Sequence, residues 1–209
     1  MSKKIFFYLS IVLILFTFTA CSDDDNPTEP TTPTVELVSK TVTLNVKSYT
    51  KWVYFSFSKG DTVSVTDFKN SNDWDIAFHR NNVRTNGGQS GKGMAAVADM
   101  GMKKFEEVVT APTSGYVADE TIKIVEDISG GFPPPTVDVP GSITMGTSIK
   151  FSGPPPSYDP NNHIYVIKTA DGKYVKYIGL NFYDDGGNSG ALKFKYLYQP
   201  DGSKNLTGK

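Results

Sequence analysis

From Trp52 to Ser58 the chain alternates. Trp52, Tyr54, Ser56 and Ser58 fall on one side of an extended strand, and Val53, Phe55 and Phe57 fall on the other. The stretch Trp74-Asp75-Ile76-Ala77-Phe78-His79-Arg80 repeats the pattern, with Trp74, Ile76 and Phe78 on one face and Asp75, Ala77 and His79 on the other. It runs into Asn86-Gly87-Gly88-Gln89-Ser90-Gly91-Lys92-Gly93, a polar glycine-rich turn that the interior of a strand does not tolerate. The same reading predicts strands over Val35–Val46, Thr62–Val65, Thr121–Val125, Ser142–Phe151, Asn162–Thr169, Tyr174–Tyr183 and Ala191–Tyr198. Turn residues punctuate them at Lys59-Gly60-Asp61, at Asn70 to Asp73, at Ala170-Asp171-Gly172-Lys173 and at Asp184 to Asn188. Proline runs at Pro133–Pro135 and Pro154–Pro156 break the pattern, because proline has no N–H to give a ladder. Ala95–Val97 is small and apolar, suited to close packing, and Met100–Val109 reads as a strand or a short helix. With no long amphipathic helix and no repeat, the fold class is mainly β, in a single domain over residues 35–209.

Composition agrees: 11 Tyr, 13 Phe, 19 Gly and 13 Pro favour strands joined by turns. The net charge of -1 gives no general electrostatic grip on nucleic acid, so none is expected as a partner. The N-terminus has a different character. Lys3 and Lys4 precede an apolar run, Ile5 to Phe18, which ends at Thr19-Ala20-Cys21. The run is shorter than the about 20 residues of a comfortable membrane span and reads as a signal peptide over residues 1–20. Cys21 is the single cysteine and stands where a bacterial lipoprotein is acylated, so it is the expected lipid attachment site. Ser22-Asp23-Asp24-Asp25 and the Pro/Thr-rich residues after it make residues 21–34 an acidic, disordered tether. The acidic run also resembles the export signal that sends lipoproteins to the outer face of the outer membrane in one phylum of Gram-negative bacteria. The expected location is therefore the outer membrane, lipid-anchored and facing the exterior.

Tests for catalytic chemistry fail on spacing. A phosphate loop of the Walker type needs glycine five residues before its Gly-Lys pair and Ser or Thr after the lysine; here those places hold Asn86 and Gly93. Two histidines and one cysteine cannot build the usual zinc site. No Gly-x-Ser-x-Gly nucleophile turn is present. The chain is therefore not expected to be an enzyme. His79, in an apolar strand, reads as a structural histidine, and His163 as an exposed one at a strand end. Methionines Met94, Met100, Met102 and Met145 are ordinary core filler, yet a thioether is also an axial ligand for haem iron. Met145 lies between glycines 141 and 146, in a hairpin region where its side chain could reach over a ligand.

Taken together, several ordered stretches resemble the HmuY family of haem-binding surface lipoproteins. They are the lipoprotein leader and tether, Trp52 to Gly60, Val65-Thr66-Asp67, Trp74 to Arg80, Val83 to Asn86, Ser90 to Gly93, Ile164 to Gly172 and Lys193 to Tyr198. The resemblance implies an all-β domain with hairpin projections that hold haem between them. Family members hold the iron with two His or two Met ligands, take haem from host haem proteins and pass it to a TonB-dependent outer-membrane receptor. The ligand positions depart from the family pattern: Phe151-Ser152 is followed by Gly153 and three prolines, and the preceding hairpin region carries Gly130-Gly131-Phe132 and three prolines, without His or Met. On this resemblance Met145 is the first candidate iron ligand, with Met102, Met100 or His163 as the second.

Two functions follow. One is a haemophore-like lipoprotein that binds haem and delivers it to a receptor. The other is a surface lipoprotein of the same fold that has lost the iron ligands and binds a porphyrin, a glycan or a protein partner.

Overall fold

The computed structural model describes residues 36–208. The expected signal peptide and tether, with Cys21 and Val35, lie outside the described residues. Thirteen strands follow in order: β1 (Lys40–Asn45), β2 (Val53–Ser56), β3 (Asp61–Val63), β4 (Ile76–His79), β5 (Asn82–Thr85), β6 (Ala96–Met102), β7 (Glu120–Ile124), β8 (Val137–Gly141), β9 (Ile149–Ser152), β10 (Ser157–Pro160), β11 (His163–Lys168), β12 (Tyr174–Tyr183) and β13 (Ser189–Gln199). Short 3-10 turns lie at Phe105–Glu107 and Met145–Thr147. Among the described residues, no helix is long and apolar enough to cross a membrane.

All pairings are antiparallel. A five-stranded sheet runs β1-β13-β12-β11-β6 and a four-stranded sheet runs β3-β2-β4-β5. The aromatic strand pattern becomes the contact between them: Phe55 and Phe78 of the smaller sheet meet Phe194 of the larger with ring centroids 5.6 and 5.7 Å apart. Leu44, Ile76, Val97, Tyr165, Ile167, Tyr177 and Tyr196 close this core. The larger sheet is buried on its second face as well, where Leu37, Phe105, Val108, Ile164, Val166, Leu197 and Leu206 form another cluster. That two-sided burial is why Ile164-Tyr165-Val166-Ile167 is a continuous apolar run. Lys176 lies buried on that second face; its ammonium donates to the carbonyls of Val108 (2.9 Å) and Leu206 (3.1 Å) and stands 4.4 Å from the Phe105 ring centroid. It ties the last residues to the sheet.

The glycine-rich turn is a packing device. Cβ atoms at Gly87 and Gly93 would collide with the backbones of Ala95 and Asn86. The Asn86 side chain donates to the carbonyls of Ser71 and Trp74, both at 2.9 Å. Asp75 is buried; it accepts from the Phe57 N–H (2.8 Å) and the Ala170 N–H (3.2 Å), joining the end of β2 to the β11–β12 turn. Residues 100–109, read as a strand or a short helix, divide between the two: β6 ends at Met102 and the 3-10 turn Phe105–Glu107 follows.

Candidate functional site

Two hairpins, β7–β8 and β9–β10, belong to neither large sheet. They are consecutive, and both are rooted on the β4–β5 hairpin. The Ser142 N–H donates to the Val83 carbonyl (2.8 Å) beneath the first, and the Asn81 side chain donates to the Ile149 carbonyl (3.4 Å) beneath the second. Tyr158 pins the second hairpin to the larger sheet. Its ring lies 4.7 Å from Phe182, and its N–H donates to the Tyr183 hydroxyl at 2.9 Å.

Beyond these roots the hairpins are exposed over residues 126–133 and 150–156. On these hairpins the chain presents apolar side chains: Phe132 (91% exposed), Ile128 and Phe151 in the exposed stretches, and Val137 at the start of β8. Proline and glycine supply the reason. The Gly130-to-Pro135 run cannot extend a ladder into a sheet, so its phenylalanine is carried outward on a loop. Sequence patterning missed these residues as site candidates, although an apolar side chain inside a turn-forming run was the available signal.

Two arginines brace the β4–β5 hairpin. Arg80, at positive φ, donates to Ser189 Oγ at 2.8 Å and stands 4.7 Å from the Tyr49 ring centroid and 5.2 Å from that of Tyr158. Arg84 lies between the rings of Trp52 (3.7 Å) and Phe68 (4.3 Å). His79 is buried, with Nε2 2.7 Å from the Tyr49 carbonyl oxygen, and burial lowers its pKa. Burial pushes Asp119 up to about 6 despite its hydrogen bonds from Ser90 and Thr85, which fasten the glycine-rich turn to β5.

The candidate iron ligands are placed elsewhere. Met145 is not near a hairpin tip: it sits in the 3-10 turn between the two hairpins, 0% exposed, within the core. That placement corrects the expectation of a methionine reaching over a ligand. Met102 and His163 are brought together, as directly opposed residues of β6 and β11. Opposed residues of an antiparallel pair point to one face with Cβ atoms about 5 Å apart, so these two cannot flank one macrocycle as trans axial ligands. Met100 packs against the cluster on the other face of the sheet. Between residues 120 and 160 the His, Met, Cys and Tyr side chains are Met145 and Tyr158 alone, and both are buried. The side chains exposed on the hairpins are apolar, and the residues of this region do not fit a bis-axial iron site.

The sequence matches the HmuY protein family over residues 48–196. No curated protein is matched. Among solved structures, a protein of Bacteroides vulgatus assigned as HmuY-like and haem-binding is 27% identical. Its TM-score is 0.62, over 76% of this chain and 90% of that one. The apo HmuY analogue of Tannerella forsythia is 21% identical, with TM-score 0.63 over 79% and 97% of the two chains. A protein of Bacteroides fragilis assigned as a lipoprotein is 22% identical, with TM-score 0.63 over 78% and 92%. At those two identities the likeness concerns the fold.

Proposed function

The chain belongs to the HmuY family, and from that premise we propose that it is a surface-anchored binding protein for haem-class tetrapyrroles, gripped by apolar contact between the two hairpins. The observation that carries the reading is the pair of neighbouring hairpins with Ile128, Phe132, Val137 and Phe151 exposed on a fold whose family is associated with haem. Water-exposed aromatic and aliphatic side chains on neighbouring projections are the chemistry that a flat, apolar macrocycle recognises. Lys150 and Ser152 on the second hairpin offer a cation and a hydroxyl to its carboxylates. Cys21 carries the lipid, residues 21–34 act as the tether, and the cargo passes from host haem proteins to a TonB-dependent receptor. No catalytic step is involved.

In this reading, recognition rests on the macrocycle and not on the metal. The test is a titration of the chain with haemin, zinc protoporphyrin and metal-free protoporphyrin. All three are expected to bind with similar affinity, without the low-spin spectrum of two side-chain ligands. Binding that requires iron and gives that spectrum would overturn the reading. A featureless titration with all three would leave the hairpins as a face for a glycan or a protein.

A further inference from the structure

Among the described residues, no group of three or more His, Cys, Asp and Glu side chains could hold a metal. A thioether is also a metal ligand, and one stands opposite a histidine. At the open edge of the larger sheet, Met102 and His163 are opposed across β6 and β11. Their common face, which excludes them as ligands on opposite sides of a haem, is what two ligands of one small ion require.

Asp99 organises both halves of this pair. Its Oδ1 accepts the Gly101 N–H at 2.7 Å. Gly101 is at φ 72°, a left-handed conformation that glycine adopts without cost, and it lies beside the irregularity in register between His163 and Tyr165. This local bend turns Met102 onto the face of His163, while Met100 stays on the opposite face. The Asp99 carboxylate also receives His163 Nδ1, at 3.0 and 2.9 Å from its two oxygens. A carboxylate only accepts, so in the neutral ring the proton is on Nδ1 and the lone pair is on Nε2. A carboxylate on one ring nitrogen, which leaves Nε2 as the remaining donor atom, is the arrangement in which metal-binding imidazoles are held. Met102 is 75% exposed, so its side chain is open to solvent.

We propose that Met102 Sδ and His163 Nε2 chelate a single soft monovalent cation, Cu(I), at this sheet edge, with Asp99 as the positioning residue. Thioether and imidazole favour copper over hard cations, and Cu(I) accepts a low coordination number. Zinc would require about four donors that the edge does not supply.

The test uses the full chain carrying Cys21→Ser, so that the single thiol does not compete, in mild detergent without oxygen. Cu(I) is titrated against a chromogenic chelator, and Ag(I) serves as a redox-inert probe of methyl-labelled methionines. The expected result is one equivalent bound, with the Met102 methyl signal moved and that of Met94, also exposed, unmoved. Met102→Leu and His163→Gln are each expected to weaken binding about tenfold or more, as is Asp99→Asn, the range for a lost outer partner. Met94→Leu is expected to bind as the parent does. Equal binding in the Met102→Leu/His163→Gln double variant, equal movement of the Met94 signal, or no competition with the chelator would each overturn the proposal.

Discussion

Replacing Met145 separates a structural methionine from an iron ligand. The side chain is 0% exposed, inside the core that joins the two large sheets. Truncation to alanine therefore removes buried methylenes and sulfur and leaves a cavity, at a cost of about 2–5 kcal/mol. Leucine conserves the volume, and its expected cost is below about 1.5 kcal/mol. In urea, with a slope of about 2 kcal/mol per molar, a loss of about 3 kcal/mol moves the unfolding midpoint down by about 1.5 M. The decisive assay combines that midpoint with a porphyrin titration of both variants under conditions where each is folded. Met145→Ala is expected to lose stability, and both variants are expected to bind haemin as the parent does. If Met145→Leu keeps its midpoint but loses haemin affinity, the thioether is needed for binding and the placement argument fails.

Three further outcomes are expected. Asp119 is raised from the ordinary 3.8 to about 6 by burial, so its contribution to stability is fully present below about pH 4 and is lost as pH rises through about 6. Relative to Asp119→Asn, the parent should gain about 1 kcal/mol on going from pH 7 to pH 5, read by denaturation at each pH, and a gain in the opposite direction would refute the sign. Lys176→Met strands the carbonyls of Val108 and Leu206, at about 1–3 kcal/mol each, and should raise hydrogen exchange in residues 203–208. Phe132→Ser should change stability by less than about 0.5 kcal/mol, since the ring is exposed, while weakening protoporphyrin binding about tenfold in a fluorescence titration.

The strand that carries Trp52 to Ser58 was legible because its core face is Val53, Phe55 and Phe57: the structure packs Phe55 and Phe57 against Phe194 and Tyr196, and Val53 lies half-buried against the same core. The strand at Ile76–His79 was legible in position but not in burial. Its second face holds Ala77 and His79, and both are covered, in a region where the guanidinium of Arg84 is stacked on Trp52. β5, β8 and β10 escaped the pattern. Asn82–Thr85 is four residues long, β8 contains Pro140, and β10 follows directly on three prolines, so none shows the run of alternation that periodicity needs. The candidate ligands were legible as residue types only. Which of them meet depends on strand order, and the pairing of β6 with β11 joins residues 61 positions apart (163 − 102) through a register that no local pattern encodes.

The order of the larger sheet also bears on when the chain can fold. Its first strand, β1, has a single neighbour, β13, with Lys40 opposite Tyr196 and Asn45 opposite Ala191. Lys176 then waits on Leu206 to satisfy its ammonium. A polypeptide emerging N-terminus first from a ribosome or a translocation channel holds β1 without a partner until nearly the last residue has been delivered. Such a dependence on distant contacts makes closure late and slow.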